Sequence, residues 1–227
     1  VPDSQKSKLT QTPWGQMTYL EYKTRIEFGK SQYDEIDKYC KQKNIKWFAS
    51  GWDKPSIDFL KNYGDTVKIA SACITDIDLI KYARGNSNFL MISTGMSSEA
   101  EIDLAVKENP DLIFHTNSSY PSPVNDLNLG YITWLKNKYP NKIIGYSGHE
   151  FGLVTTWGAV LMGATYLERH ITLNRSMWGS DQMASVEPTG LIKLTKGVRD
   201  LELAISKGNA PRVLFDSEKE KLKSLRK

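Results

Sequence analysis

The chain is built on a recurring unit. From about Tyr33 onward, short apolar runs alternate with amphipathic stretches, one pair every roughly 20–30 residues. The runs at 45–51, 66–71, 89–94, 111–117, 142–147 and 166–173 are rich in Ile, Phe and Val, and several are apolar at consecutive positions. That pattern predicts strands covered on both faces, as in a parallel sheet. The intervening stretches predict helices. Ser97 and Ser98 precede Glu99, Glu101, Ile102, Ala105 and Val106, an N-cap with an acidic first turn ahead of an apolar stripe. Pro188 is placed for a helix start, with Leu191, Leu194, Val198, Leu201 and Ile205 following at spacings of three and four.

Repeated βα units imply right-handed crossovers and an α/β fold, either an open doubly wound sheet or a (β/α)8 barrel. No glycine fingerprint of the GxGxxG or GxxxxGK[ST] kind follows a strand, which weighs against a nucleotide-binding sheet. Six strands are two short of a barrel, and 227 residues fall below the roughly 250 that a closed barrel takes. On the barrel alternative, which the family resemblance below implies, the expectation is one domain over residues 1–227, an N-terminally truncated TIM barrel with about six of eight βα units present. Residues 1–32, which include Thr-Pro-Trp-Gly, read as an ordered loop leading in. Residues 213–227 read as a C-terminal tail, the part from Ser217 onward as a solvated helix face.

Composition narrows the function classes. With 40% hydrophobic and 25% charged residues the chain is not disordered. No apolar run approaches the ~20 residues of a membrane span; the longest, near 153–162, is broken by Thr155, Thr156 and Gly158. The net charge of +4 is scattered, and no basic stripe alternates with aromatics, so nucleic acid is not an expected partner. Cys40 and Cys73 show no metal spacing and are expected as buried free thiols in a reducing cytoplasm, and no leader is visible.

Polar residues gather where strands end. The six runs finish in Ala49-Ser50-Gly51, Ile69-Ala70-Ser71, Ser93-Thr94-Gly95, His115 through Tyr120, Ser147-Gly148-His149-Glu150 and Glu168-Arg169-His170. In α/β folds this is the edge where ligands bind. Lys68 lies within an apolar strand. It is an ammonium for phosphate or carboxylate, a Schiff-base nucleophile, or a snorkelling lysine at a strand start. His149 and His170 stand twenty-one positions apart, each ending its own strand. Parallel neighbours lie about 4.8 Å apart, so both rings can reach one divalent ion with positions left for water; two hydrogen-bonded structural histidines are the alternative. His115 has no such neighbour and reads as a core histidine. Asp181 follows the last strand as a polyol acceptor or a turn cap. The Tyr120 phenol faces the cleft or packs. Glu150 and Glu168 flank the histidines, to orient an imidazole or as unrelated surface charges.

Seven segments together resemble the sialic acid synthase family across essentially the whole chain. They are 12–23, Lys-Ile-Ala-Ser (68–71), Ser-Thr-Gly-Met (93–96), Ser-Ser-Tyr-Pro (118–121), Gly-Tyr-Ser-Gly-His-Glu (145–150), Glu-Arg-His-Ile-Thr-Leu (168–173) and Gly-Ser-Asp-Gln-Met-Ala-Ser (179–185). The resemblance implies a TIM barrel that condenses phosphoenolpyruvate with an open-chain N-acylated hexosamine, N-acetylmannosamine being the usual acceptor. The product is a nine-carbon 2-keto acid, with phosphate released by C–O cleavage. It further implies a Mn²⁺-like ion (Mg²⁺ or Co²⁺ in its place) on His149 and His170. Lys68, Ser71, Ser93 and Ser147 match phosphoenolpyruvate positions, and Tyr120, Glu168 and Asp181 match positions near the sugar and the reacting carbons. A homodimer is expected by the same analogy. Read this way, Lys68 holds phosphate as a charged ammonium.

The chain also departs from the family pattern. A Glu-Ile-Gly-x-Asn-His start, a Lys-Phe-Gln segment and an antifreeze-like domain are absent, and Gln182 stands where many members have His. A catalytic glutamate and a second phosphate-binding lysine would belong to those missing parts. Two other readings follow from the residues. One is another phosphoenolpyruvate-dependent barrel, such as a 3-deoxy-octulosonate 8-phosphate synthase, which the Glu-Arg-His-Ile-Thr-Leu segment argues against. The other is a noncatalytic fragment presenting strand edges to a partner.

Overall fold

The computed structural model describes all residues except Pro2, Lys207, Asn209, Ala210 and Lys227. In chain order the elements are α1 (Asp3–Lys6), β1 (Leu9–Thr12), β2 (Gly15–Thr18), α2 (Tyr19–Ile26), α3 (Lys30–Lys43), α4 (Lys54–Leu60), β3 (Thr66–Ile69), α5 (Ile77–Gly85), β4 (Phe89–Ser93), α6 (Glu99–Lys107), β5 (Leu112–Thr116), α7 (Gly130–Lys138), β6 (Ile143–Gly148), α8 (Val154–Leu161), β7 (Tyr166–Arg169), α9 (Pro188–Ala204) and α10 (Lys219–Leu225). Strands β3 to β7 pair in sequence order as one parallel, curled sheet, and β1 and β2 form a separate antiparallel hairpin.

Alternation along the strands assigns the two faces of the sheet. Val67, Ile69, Leu90, Ile92, Ile113, Ile144 and Tyr146 share one core with Leu79, Ile80, Ala83, Ile102, Ala105, Ile132 and Leu135 from the helices. The opposite, inner face carries only a small cluster, Met91, Leu112 and Phe114, edged by Phe89 and Ile143. Toward the strand C-termini that inner face turns polar, with Lys68, Ser93, Ser147 and Glu168 at positions of the same parity. Packing is thus assigned to one face and chemistry to the far end of the other.

Local signals place the helices. Ser98 caps α6, and the Glu101 carboxylate accepts from both the Ser98 amide and its hydroxyl at 2.7 Å. Pro188 opens α9, as its missing N–H permits at a first turn. The Asp111 carboxylate ties the start of β5 to its neighbours, accepting from the Leu90 amide at 2.7 Å and from Arg84 Nη1 at 2.6 Å.

Four expectations need correction. Residues 45–51 form no regular strand; one parallel bridge joins Ser50 to Lys68. Ile45 and Phe48 stay exposed, so the run lacks the burial on both faces that its composition predicted. The described residues of 1–32 are not a loop. Gly15 adopts φ +98° in the turn that closes the hairpin, and Thr18 and Glu21 make a reciprocal capping box that starts α2. The last strand ends at Arg169, after which Ile171 makes a single bridge to Val186. Cys40 and Cys73 are free but only half-buried. Among the described residues no helix is long and apolar enough to cross a membrane.

Candidate active site

Five parallel strands deliver their last residues to one edge, and the polar side chains there fall into three adjoining groups. The first is a cradle of hydroxyls at the ends of β3, β4 and β5. The Gly95 amide donates to Ser71 Oγ at 3.0 Å. A Cβ built on Gly95 would run into the hydroxyls of Ser118 and Ser71 and the Thr116 methyl, so glycine alone leaves this space open. Ser93 Oγ nearby is buried and has no hydrogen-bond partner among the described residues. An orphaned buried hydroxyl is costly unless a ligand engages it.

The second group crosses the inner face. Lys68 Nζ donates to Glu168 Oε1 at 2.7 Å, spanning from β3 to β7, and Ser147 Oγ donates to the same oxygen at 2.9 Å. Lys68 also lies 5.5 Å from the centre of the Phe114 ring. The lysine is therefore a charged inner-face group rather than a snorkelling one, and Glu168 is its counter-ion rather than a prop for an imidazole.

The third group contains the histidines. The rings of His149 and His170 lie 5.0 Å apart at 70°. Tyr120 packs against both, with centroids at 4.2 and 5.7 Å. His149 Nδ1 lies 2.6 Å from the Asn117 carbonyl, and that oxygen can only accept; the geometry therefore puts the proton on Nδ1 and leaves the Nε2 lone pair available. Burial pushes the His149 pKa down, and the neighbouring His170 adds to this against the pull of Asn117, favouring the neutral ring. His170 Nδ1 faces Asp181 Oδ2 at 3.6 Å. Burial, reinforced by Asp181 and Glu168, raises the Tyr120 pKa and keeps the phenol protonated, and its hydroxyl reaches Ser118 in the cradle. Lys68, Ser71, Ser93, Tyr120, Ser147, His149, Glu168, His170 and Asp181 thus lie in one contiguous cluster.

His115 behaves otherwise. It points to the helix-covered side, donates from Nε2 to the Leu127 carbonyl at 2.7 Å, and burial lowers its pKa. Glu150 also faces outward, fully buried, where Arg169 and the hydroxyls of Tyr146, Thr155 and Thr156 meet it. Burial pushes its carboxyl up, yet Arg169 and the Thr156 and Thr155 hydroxyls hold it below the usual range. It touches neither imidazole, so it orients none directly. A cleft of about 650 Å³ opens beside β4 and β5, lined by Thr94, Ser97, Asn117, Ser118 and Tyr131 among others. It shares Asn117 and Ser118 with the site but reaches neither His149 nor His170, so the convergence of polar groups marks the chemistry better than the cleft does. Sequence reading missed the roles of Gly95, Ser118 and Asn117; their signal was the small-residue run at each strand end, and Asn117 acts through a backbone carbonyl that no side-chain pattern reveals.

A model of the NeuB family matches residues 1–210. The chain belongs to that family. Among its relatives, N-acetylneuraminate-9-phosphate synthase of Drosophila melanogaster is 37% identical over 198 residues, covering 84% of this chain and 53% of that protein. The human N-acetylneuraminate-9-phosphate synthase is 36% identical, covering 85% and 55%. The crystal structure of N-acetylneuraminic acid (sialic acid) synthetase from Leptospira borgpetersenii serovar Hardjo-bovis, in complex with citrate, superposes with a TM-score of 0.77 at 34% identity, over 88% of this chain and 73% of that one. The chain spans about half the length of the curated relatives it matches. Its NeuB-family relatives are sugar-acid synthases, and the sequence resemblance to sialic acid synthases is met.

Proposed function

We propose that this chain supplies the strand-end half of a sialic acid synthase-type site, which joins phosphoenolpyruvate to the open-chain form of an N-acylhexosamine of the N-acetylmannosamine kind. In that reaction C3 of the enol ether bonds to the aldehyde carbon, whose oxygen takes up a proton. Water adds to the cationic C2, and the phosphate then leaves with its bridging oxygen to give the 2-keto acid. The observation that carries the reading is the meeting, on one sheet edge, of a glycine-opened hydroxyl cradle, a half-buried lysine and two facing imidazoles.

Each residue has a role in this scheme. The cradle of Ser71, Gly95 and Ser118, with the orphaned Ser93 hydroxyl, suits phosphate oxygens, and Lys68 and Ser147 adjoin it to meet the phosphate and carboxylate charge. Tyr120 and Asp181 border the acceptor, the phenol as donor and the carboxylate as acceptor for sugar hydroxyls. Glu168, held by Lys68 and Ser147, lies where a carboxylate can take a proton from the incoming water.

The donor set fits a divalent ion. Two neutral-capable imidazoles face each other, one fixed with its second nitrogen on a carbonyl as metal-bound histidines usually are. Among the described residues no group of three or more His, Cys, Asp or Glu side chains is arranged as a metal site. On their ring geometry, His149 and His170 would hold the ion, Mn²⁺ foremost with Mg²⁺ or Co²⁺ as alternatives, and water and substrate would fill the remaining positions. When bound, such an ion polarises the aldehyde and orients water.

Calorimetry tests this directly. Micromolar Mn²⁺ binding that His170→Ala abolishes, with phosphoenolpyruvate binding that Lys68→Met weakens, is the expected result. A folded chain that binds neither overturns the reading. Phosphate release with N-acetylmannosamine, its 6-phosphate and related acceptors then separates the substrates, and sedimentation tests the homodimer carried by the family analogy.

A further inference from the structure

Ladder pairing between β6 and β7 ends at Gly148 and Arg169. The next residues on the two strands are His149 and His170, whose spacing the site depends on; their carbonyls accept from the Ser122 amide at 3.0 Å and the Val186 amide at 2.7 Å, but among the described residues no β6–β7 ladder bond joins them to each other. A different connection continues across this gap, one side chain away. Arg169 Nη2 donates to the Glu150 backbone carbonyl at 2.6 Å, taking the place of the missing ladder bond. Arg169 Nη1 lies 3.1 Å from Glu150 Oε1 and also donates to the Gly152 carbonyl at 2.9 Å and Thr156 Oγ1 at 2.7 Å. Glu150 Oε1 accepts from Thr155 and Thr156 at 2.8 Å each, and Oε2 from the Tyr146 hydroxyl at 2.9 Å. The side chains of Arg169 and Glu150 are 3% and 0% exposed.

We propose that Glu150 and Arg169 are a positioning pair that sets the separation and ring orientation of His149 and His170. The proposal rests on the function above only for what the imidazoles then do. Parity supports it: side chains alternate across the sheet, so each member of the pair stands on the helix side directly behind the turn of chain that carries an imidazole inward. The anchoring points also match the task. Thr155 and Thr156 belong to the first turn of α8, so the carboxylate fixes the β6 exit to that helix. Arg169 Nη2 further reaches the Ala184 carbonyl at 3.4 Å, on the turn after Asp181, the carboxylate that faces His170. One guanidinium thereby ties together the segments bearing His149, His170 and Asp181. Energetics argue in the same direction. A buried ion pair is commonly replaceable by apolar side chains without loss of stability, so packing alone does not require charge here. A polar network this densely bonded, with Arg169 Nε alone of its side-chain polar atoms left without a partner among the described residues, instead fixes one geometry.

The test uses the whole chain with both charges replaced by apolar groups, Glu150→Leu/Arg169→Met, alongside His149→Ala as a reference. Circular dichroism checks the fold, calorimetry reads Mn²⁺ affinity, and ¹⁵N-histidine NMR without metal reads the tautomer of His149. The wild-type chain is expected to show His149 protonated at Nδ1. The double variant is expected to fold, to lose that single-tautomer signature and to bind Mn²⁺ about 10–100-fold more weakly. A folded double variant that keeps both the signature and the affinity overturns the proposal. If it does not fold, isosteric Glu150→Gln carries the same two readouts, with wild-type values for both again overturning it. A wild-type chain that binds no Mn²⁺, while the tautomer signature still follows the pair, sinks the metal reading of the function and supports the positioning role.

Discussion

The residue that does most to organise the site is His149, and what organises His149 is a main-chain oxygen. Its Nδ1 is committed to the Asn117 carbonyl, so its other nitrogen has a defined direction and protonation state. Gly95 acts by omission: the hydroxyls of Ser71 and Ser118 converge on the volume that a side chain would take. Gly95→Ala is accordingly expected to leave the fold unchanged by circular dichroism while weakening phosphoenolpyruvate binding about tenfold or more by calorimetry, a loss of ~1.4 kcal/mol or more. An unchanged affinity would remove the cradle from the phosphate site. Lys68→Met removes a charge-assisted donor, worth about 1.5–3 kcal/mol, so anion binding is expected to fall by roughly 10–100-fold. At this scale the sequence pointed to some acting side chains and passed over others, such as the Ser118 hydroxyl. Lys68, His149, His170 and Asp181 stood out by type and place. Asn117 did not, because its carbonyl is common to every residue, and the outward turn of Glu150 did not, because adjacency to His149 says nothing about parity until the strand is fixed.

At the scale of elements, the short runs of consecutive apolar residues and the caps made five of six strands and the α6 and α9 starts legible, with strand C-terminal ends off by one to four residues. The hairpin and α2 were hidden because their signals, a Gly15 turn and the Thr18–Glu21 box, are short and carry no apolar periodicity. Strand starts hold their own polar fastening in Asp111. Burial raises its pKa, but the Leu90 amide and Arg84 outweigh this and hold it below the ordinary carboxylate value. The folded-state pKa is thus depressed, so the unfolded chain binds the extra proton. This contribution to stability is present above the unfolded value of about 3.9 and is lost as pH falls through the folded one. Urea midpoints followed from pH 6 down to pH 3 should therefore fall more steeply for the wild-type chain than for Asp111→Asn, which lacks the titration and starts lower at pH 6. Parallel curves would show that the carboxylate contributes nothing.

Across the whole molecule, stability and chemistry are carried by opposite faces of one sheet. The helix-covered face holds the large core, in which Ile92 and Ile113 are inaccessible to solvent and packed on all sides. The inner face keeps a three-residue apolar cluster, and at its edge Tyr166 stacks on Phe89 while remaining 44% exposed. Sequence runs that are apolar at consecutive positions gave the impression of two equally dry faces. The structure divides them, because the residues of inner-face parity change from apolar to Lys, Ser and Glu as each strand nears its C-terminal end. This division predicts an asymmetric response to truncation. Ile113→Ala deletes packed methyl groups from the core and is expected to cost about 2–5 kcal/mol in chemical denaturation. Tyr166→Ser, on the exposed inner edge, is expected to cost under about 1.5 kcal/mol, the scale of an aromatic pair contact. Equal losses at the two positions would mean that the inner face bears load as the helix side does. A site placed on the lightly packed face can then change its residues without taxing the core that keeps the strands in register, which is why its hydroxyls and charges can be dense where a core would exclude them.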